Sequence, residues 1–462
     1  MSLSTYIDYI HTLLPADQWE AYESSYTTWV TRAVTWSWHR PRWDVSSLLE
    51  SQWRSFTKPK FAVSDTHMYV DREDRDIALW HHRAYQWGWY YIQESAASLP
   101  PSVIDYSPDD VILDMCAAPW GKTTQLATGL LALWGRWFVV ANEIDKTRRR
   151  TLQETVTRMW LYNVAVSYRF SHWWAENYPS TFDHIVVDAV CSGEGTCFRT
   201  TDFMDQRGLG LTHKNAGIQQ DIMRDAITCV KPWGTIVFST CTLNTYENEW
   251  VVAWVLDNYA DQVELVHVNI EWSSPWLSGH GLSDDDCHKV ARLWPHIHRS
   301  WGFWVSKFRK LWHNSKPAKT IHYSAENNCG SRAMLKSQWW ITLPEYTRIY
   351  EDKGIGYLTT TSKLTWYESG LPILKLWHGG IQPLPALVPA LWYLSDLLRI
   401  DLNDEQIQQW MSSTEIPLPS GEGGEAGWGI GGGIKGRVIV TCHGFDVGLG
   451  KVGWWVLKNK MS

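Results

Sequence analysis

Three observations predict an α/β protein built on a mainly parallel sheet. Short apolar runs that suit buried strands alternate with stretches that suit helices. Each run is bounded by turn residues, as strands covered on both faces require. The turns after the runs collect small, acidic and thiol residues, and in such sheets ligands bind at the carboxyl ends of the strands.

Residues 1 to about 75 read as helical at first and then irregular, with basic residues at Arg40, Arg42 and Arg54. The alternation occupies about 76–312. The run 111–115 follows Pro108-Asp-Asp and suits a buried strand, with a helix expected over 122–133. A second strand is expected over 138–142 and a second helix over 145–159, the latter rich in base (Lys146, Arg148, Arg149, Arg150, Arg158). Further buried strands are expected at 184–188 and 235–239, with a helix over 217–230 between them. Parallel neighbours of this kind are joined by right-handed crossovers. Residues 313 to about 400 are mixed. The stretch 417–436 is Gly-rich and reads as a loop. Residues 437–451 read as two short strands joined by a Gly turn. No fixed-period repeat is visible. The expected divisions are 1–75, 76–312, 313–400 and 401–462, and length alone gives about three domains.

Composition excludes several classes. Hydrophobic residues at 44% and charged residues at 20% describe a globular chain, not a disordered or fibrous one. No apolar run approaches the roughly 18 residues of a membrane span. The start, Met1-Ser-Leu-Ser-Thr-Tyr-Ile-Asp8, lacks the pattern of a signal peptide. The eight Cys show no CxxC or paired spacing, so neither a disulfide framework nor a metal site is expected. A cytoplasmic monomer with free thiols and no membrane contact is the expectation. The net charge of −7 argues mildly against binding nucleic acid over the whole surface, though a basic patch can sit on an acidic protein. One count is anomalous: 33 of 462 residues are Trp, against 11 Phe, 20 Tyr and 32 Gly.

The chemistry gathers at three strand ends. After Asp114, the turn Cys116-Ala117-Ala118-Pro119-Trp120-Gly121-Lys122 leads into a helix. Small residues there let the backbone approach a ligand whose polar end meets the helix N-terminus. The first Gly of a phosphate loop is missing, and no GxGxxG turn follows the strand, so a dehydrogenase is disfavoured. Glu143, ending the next strand, is placed to accept hydrogen bonds from ribose hydroxyls. Asp188-Ala-Val-Cys191 follows a third strand and Ser239-Thr-Cys241 a fourth. One strand-end Cys is usually a small core residue. Two of them beside an Asp and a cofactor turn are better explained as reactive thiols.

These motifs resemble the Nop/Sun family of S-adenosylmethionine-dependent RNA cytosine-C5 methyltransferases. The matching residues are Tyr90-Tyr-Ile-Gln-Glu94, Asp114 with Ala117 to Thr123, Asp188 with Cys191-Ser-Gly-Glu-Gly195, and Pro232-Trp-Gly with Ser239-Thr-Cys-Thr-Leu243. Leu293-Trp-Pro-His296 with Gly302-Phe303 resembles the closing strand, so the likeness covers about 76–312. The tail, around Val440, Gly444-Phe445 and Gly448 to Lys451, resembles the PUA-like RNA-binding end of the RsmF-type ribosomal RNA enzymes. The resemblance implies a class I (Rossmann-like) fold with an N-terminal RNA-binding segment and small C-terminal modules. It implies S-adenosylmethionine as cofactor and RNA, ribosomal above all, as substrate. It makes Cys241 the nucleophile that adds to cytosine C6, Cys191 the residue of the release step, and Asp188 a contact to the base edge and the cofactor. Cys116 to Lys122 and Glu143 would hold the cofactor. The basic helix 145–159 could touch phosphates, with a solvated charged face as the plain alternative. A transfer RNA target and a catalytically inactive RNA-binding assembly factor are the competing readings.

The chain departs from the pattern. Val190 replaces a Pro before Cys191, and Phe170 falls where the family's acidic contact to the adenine side is expected. Trp120, Trp160, Trp233 and Trp80 stand where glycine is expected: an indole at Trp120 would fill space that the methionine moiety needs, and Trp160 and Trp233 fall at turns that favour a left-handed residue. A gene whose UGA codons specify glycine, written with a table that reads UGA as tryptophan, produces this pattern. Trp294 fits the family as it stands.

Overall fold

The computed structural model describes residues 3–25, 32–37, 56–57, 67–70, 79–81, 83–118, 120–133, 138–199, 209–270, 277, 281–312, 333, 335, 348–352, 355–359, 371–377, 380–383, 399–412, 415–417, 436–442, 445–453 and 456–459. The chain divides into two compact units: 1–322 with 366–368, and 323–365 with 369–462.

The first unit opens with helices Leu3–Leu13 and Trp19–Ser25. The stretch after them, expected to be irregular, instead contains β1 (Arg32–Trp36), β2 (Phe56–Thr57) and β3 (His67–Val70). They join β4 (Tyr90–Glu94) in an antiparallel sheet of order β2-β3-β1-β4. Arg40, Arg42 and Arg54 lie outside the described residues.

The central sheet contains β5 (Ile112–Asp114), β6 (Val139–Asn142), β7 (Val164–Ser167), β8 (Phe182–Asp188) and β9 (Val230–Thr240), all mutually parallel. Added to these are β10 (Val263–Val266), β11 (Ala291–Leu293) and β12 (Phe303–Lys310), and the sheet order is β10-β12-β9-β8-β5-β6-β7 with β11 beside β12. β12 runs antiparallel to β9. The chain therefore leaves β5 outward through β6 and β7, then returns to the other side of β5 as β8. That reversal opens a crevice beyond the carboxyl ends of β5, β6 and β8, where a Rossmann-like fold binds its ligand.

Why these segments form strands is plain from their burial. β5, β6 and β7 are buried at every position, because helices cover both faces. The helix Gly121–Ala132 matches the expected 122–133, and Lys146–Arg158 matches 145–159. The helix expected over 217–230 is longer, spanning Leu209–Cys229. Helix Lys146–Arg158 starts on a capping Asp145, whose carboxylate accepts from the Arg148 backbone N–H at 2.8 Å. It ends in a Schellman turn: Trp160 N donates to Thr157 O and Leu161 N to Val156 O. Arg158 is turned inward: its guanidinium lies over the Tyr85 ring and donates to Tyr85 O and Tyr90 O. On the exposed face of this helix Arg150 pairs with Glu154, and Arg149 lies over the Tyr168 ring.

The N-terminal helix supports the site directly. Ile10, Leu13, Leu14 and Tyr22 form one buried cluster with Leu243 and Trp294. Tyr9 Oη accepts from Thr245 N at 3.1 Å. Leu243 and Thr245 belong to the turn that follows Cys241, so this helix is a buttress for that turn. Among the described residues no helix is long and apolar enough to cross a membrane.

The second unit holds two sheets. β13 (Arg348–Asp352), β14 (Ile355–Thr359), β15 (Leu371–Trp377) and β16 (Gly380–Pro383) form an antiparallel meander. β17 (Arg399–Leu402), β18 (Ile416–Pro417), β19 (Gly436–Cys442), β20 (Phe445–Gly453) and β21 (Val456–Asn459) form a sheet of order β17-β19-β20-β21-β18. β19 and β20 are the two strands expected over 437–451, and they pair antiparallel. Residues 418–435 of the Gly-rich stretch lie outside the described residues.

Candidate active site

Asp114, Glu143 and Asp188 all end parallel strands or follow one immediately, so the sheet itself brings them to one edge. Ala117 N donates to Asn142 O at 2.9 Å, which ties the turn after β5 to the end of β6. Glu143 N donates to Ser167 O, and its Oε1 accepts from Asp145 N at 2.8 Å. The carboxylate is thus buried and fixed beside the turn. Cys116, Ala117, Ala118 and Gly121 line the same edge, whereas Pro119 lies outside the described residues. Burial and the charges of Asp114, Asp188 and Glu143 push the Cys116 thiol up, so it is a poor thiolate.

Trp120 occupies the N-cap of helix Gly121–Ala132 with φ 41°, in the left-handed region. It makes no side-chain cap, and its indole Nε1 is buried without an acceptor. A residue without Cβ meets this conformation at no steric cost; a tryptophan does not. Trp160 and Trp233 share the feature, with φ 60° and 67°. Three of the four positions expected to need glycine are therefore left-handed. Trp80, the fourth, is not among the positive-φ residues.

The Lys122 ammonium donates to Asp188 Oδ2 at 2.6 Å, and Ser239 Oγ donates to Asp188 Oδ1 at 2.7 Å. Both oxygens of Asp188 are engaged, and the cofactor turn is coupled to the turn that carries Cys191. Ser239 is a site residue that the sequence reading misses, although it lies near the end of β9, two positions before Cys241. Asp114 Oδ2 accepts from Thr123 Oγ1 at 2.6 Å, while its Oδ1 is buried without a partner. Burial pushes the Asp114 carboxyl up to about 7.

The two thiols meet. Cys191 Sγ lies 3.4 Å from Cys241 Sγ, and both cysteines are free. The hydrogen bond to Cys241, reinforced by burial, holds the Cys191 thiol well above its ordinary proton affinity. Val190 is half exposed, and its carbonyl accepts from Gln219 Nε2 at 2.8 Å, so the turn keeps a fixed path without a proline. Gly195 crosses Gly302 so closely that a Cβ on it would sit 2.1 Å from Gly302 O. Phe170 is 62% exposed at the end of β7 and stacks on His172.

This edge can receive a cationic nucleoside donor. The unpaired, buried Asp114 oxygen is an acceptor for an ammonium, and the fixed Glu143 carboxylate is one for hydroxyls. The Trp120 indole is the group in the turn that does not suit a close-lying ligand.

Comparison with known proteins agrees with this arrangement. Residues 101–309 match the family described as 16S rRNA methyltransferase RsmB/F. The ribosomal RNA small subunit methyltransferase F of Photobacterium profundum is 28% identical over 414 residues, covering 85% of this chain and 81% of that protein. Its counterpart from Shewanella woodyi is 29% identical, covering 84% and 81%. Among solved structures, a methyltransferase homologue from Pyrococcus horikoshii superposes with TM-score 0.54 at 28% identity, covering 65% of this chain and 92% of that one. NSun6 from the same organism, solved with SFG, shares the fold with TM-score 0.56 at 19% identity, covering 66% and 98%. The methyl donor of this class I fold is S-adenosylmethionine, and Asp114, Glu143 and the turn between them are the groups available to hold it. The similarity to the RsmB/F methyltransferase model thus spans residues 101–309, the stretch that carries Asp114, Glu143, Asp188, Cys191 and Cys241.

Proposed function

We propose that this protein methylates C5 of a cytosine in RNA, with small-subunit ribosomal RNA as the substrate, through a covalent cysteine adduct. The observation that carries the reading is the 3.4 Å pairing of two free thiols beside an acid whose two oxygens are both engaged. The names of the relatives from Photobacterium and Shewanella supply the RNA class. Cytosine C5 is too weak a nucleophile to take a methyl group unaided. Addition of the Cys241 thiolate to C6 turns C5 into an enamine-like carbon that can attack in line. S-adenosylmethionine supplies the methyl group as a sulfonium. Asp188, held by Lys122 and Ser239, contacts the base edge and stabilises charge that develops on addition. A water molecule acting as base then takes the C5 proton, and its electron pair re-forms the C5=C6 bond and expels the Cys241 sulfur as thiolate. The Cys191 thiol, already hydrogen-bonded to the Cys241 sulfur, stabilises that sulfur as it departs with the bonding pair. The base must leave its stack to reach Cys241. Residues 1–75 are the RNA-facing segment in this reading, 76–312 the catalytic domain, 313–400 a linking module, and 401–462 a PUA-like RNA-binding module.

The test is direct. Purified protein is incubated with 16S rRNA or small subunits and a labelled donor, and bisulfite sequencing locates the product. Cys241→Ala abolishes methylation. Cys191→Ala traps a protein–RNA adduct that survives a denaturing gel; absence of the adduct overturns the division of roles. Label on transfer RNA and not on rRNA would change the substrate class while leaving the chemistry.

A further inference from the structure

The strand ladder stops short of the two thiols. The last paired residues of β8 and β9 are Asp188 and Ser239, and Ala189 N still reaches Ser239 O at 2.9 Å. Beyond them each cysteine sits on its own turn, so something other than the sheet must fix the 3.4 Å between the sulfurs.

Glu247, six residues after Cys241 and fully buried, is built for this. Its own turn anchors it: Glu247 N donates to Asn244 Oδ1, and Asn244 Nδ2 donates to Glu247 Oε1, both at 2.9 Å. From there its carboxylate accepts the backbone N–H of Ser192, at 2.9 Å to Oε2 and 3.2 Å to Oε1. Ser192 follows Cys191 directly. On the other side of Cys191, the carbonyl of Val190 accepts from Gln219 Nε2 at 2.8 Å, and the same nitrogen donates to Glu247 Oε2 at 2.9 Å. Both peptide neighbours of Cys191 are therefore tied to one carboxylate, one directly and one through a single amide. A carboxylate out of water is costly unless donors converge on it, and here three nitrogen donors do. The charged and titratable groups facing this cluster are Glu194, which shares Asn244 with Glu247, together with Asp188, Cys241 and Cys191.

We propose that Glu247 is a positioning residue that clamps the Cys191 turn against the Cys241 turn and so sets the separation of the two sulfurs. Its effect on methylation rests on the reading of this thiol pair as the catalytic one; its effect on geometry does not.

The closing experiment separates the two. Diamide joins two adjacent thiols: each loses a proton and an electron, one S–S bond forms, and the N=N bond of the reagent is reduced to N–H. The rate of the Cys191–Cys241 disulfide is followed by peptide mass spectrometry in the full chain, with Cys191→Ala as the blank and thermal melting as the folding control. Glu247→Ala and Gln219→Ala slow disulfide formation at least tenfold. Glu247→Gln keeps one oxygen that can accept from both Ser192 N and Gln219 Nε2, but it turns an NH2 group toward Asn244 Nδ2 where a carboxylate oxygen accepted, so it slows formation about threefold. It serves as the decisive variant should the alanine protein fail to fold. In methylation assays the same variants lower kcat and leave KM for RNA within twofold. Disulfide rates equal to wild type in folded variants overturn the proposal. Methylation that survives Cys241→Ala overturns the functional reading instead and leaves the disulfide result standing.

Discussion

At the scale of single residues, the left-handed tryptophans are the clearest conflict between side chain and backbone. Of the nine described residues with positive φ, three are Gly, three are Trp, and Ser180, Asn269 and Arg299 are the rest. The left-handed conformation costs an L-residue about 1–2 kcal/mol, part of which glycine returns through a more flexible unfolded chain. Trp233 is 61% exposed, so removing its indole sacrifices little burial. It follows Pro232 and precedes Gly234 in an excursion of β9, where the ladder jumps from Val230 to Thr235. Trp233→Gly should therefore stabilise the protein by about 1 kcal/mol, read as a higher urea midpoint at unchanged slope. Trp160→Gly, at the C′ position of a Schellman turn, should act in the same direction. Trp120→Gly should tighten S-adenosylhomocysteine binding at least tenfold by calorimetry; an unchanged affinity would mean that the indole stands clear of the ligand. Trp160 and Trp233 are legible because a turn's demand for φ > 0 is local, and Trp120 because it stands in a turn that a ligand must approach closely. Glu247 was not, since its partner Ser192 is 55 residues away and Gln219 is on a helix between them.

Among elements, legibility followed the range of the hydrogen bonds. The parallel strands announced themselves as continuous apolar runs, and the intervening helices by their turns. β1 was read as irregular because Arg32-Ala-Val-Thr-Trp36 earns its strand only from β3 and β4, whose paired residues lie tens of positions away. The turn after β8 carries a consequence of the same long-range kind. Glu194 is pushed up to about 7 by burial and then by the charge of Glu247, which begins life in a separate turn. In the unfolded chain this carboxyl ionises near 4.5. Between that value and about 7 the folded protein holds the proton that the unfolded chain has lost. Its contribution is thus fully present below about pH 4.5 and is lost as pH rises through 7, on the order of 3 kcal/mol. Glu194→Gln removes the titration. The variant should match wild type near pH 4.5 in urea unfolding and gain on it steadily up to pH 8. A difference that does not vary with pH would place the cost elsewhere than in ionisation.

For the whole molecule, the parallel sheet and the ligand edge at its carboxyl ends follow from a pattern that the sequence repeats several times, so the errors of single boundaries do not disturb them, whereas the strand order is set by pairings that only the fold reveals. Composition alone leaves the 33 Trp unexplained. The structure sorts tryptophans into two kinds. Trp294 is buried in the cluster beneath the Cys241 turn and sits edge-on to Tyr22, a position that uses its full volume. Trp120, Trp160 and Trp233 instead occupy backbone that rejects a side chain. A single cause, UGA codons meaning glycine, predicts this division. It requires UGA at 120, 160 and 233, and UGG at 294. Peptide mass spectrometry of the protein from its native source should find glycine at the first three and tryptophan at 294. Tryptophan at all four would make the strained turns properties of the native fold, and the crowded cofactor turn would then argue for the inactive RNA-binding alternative.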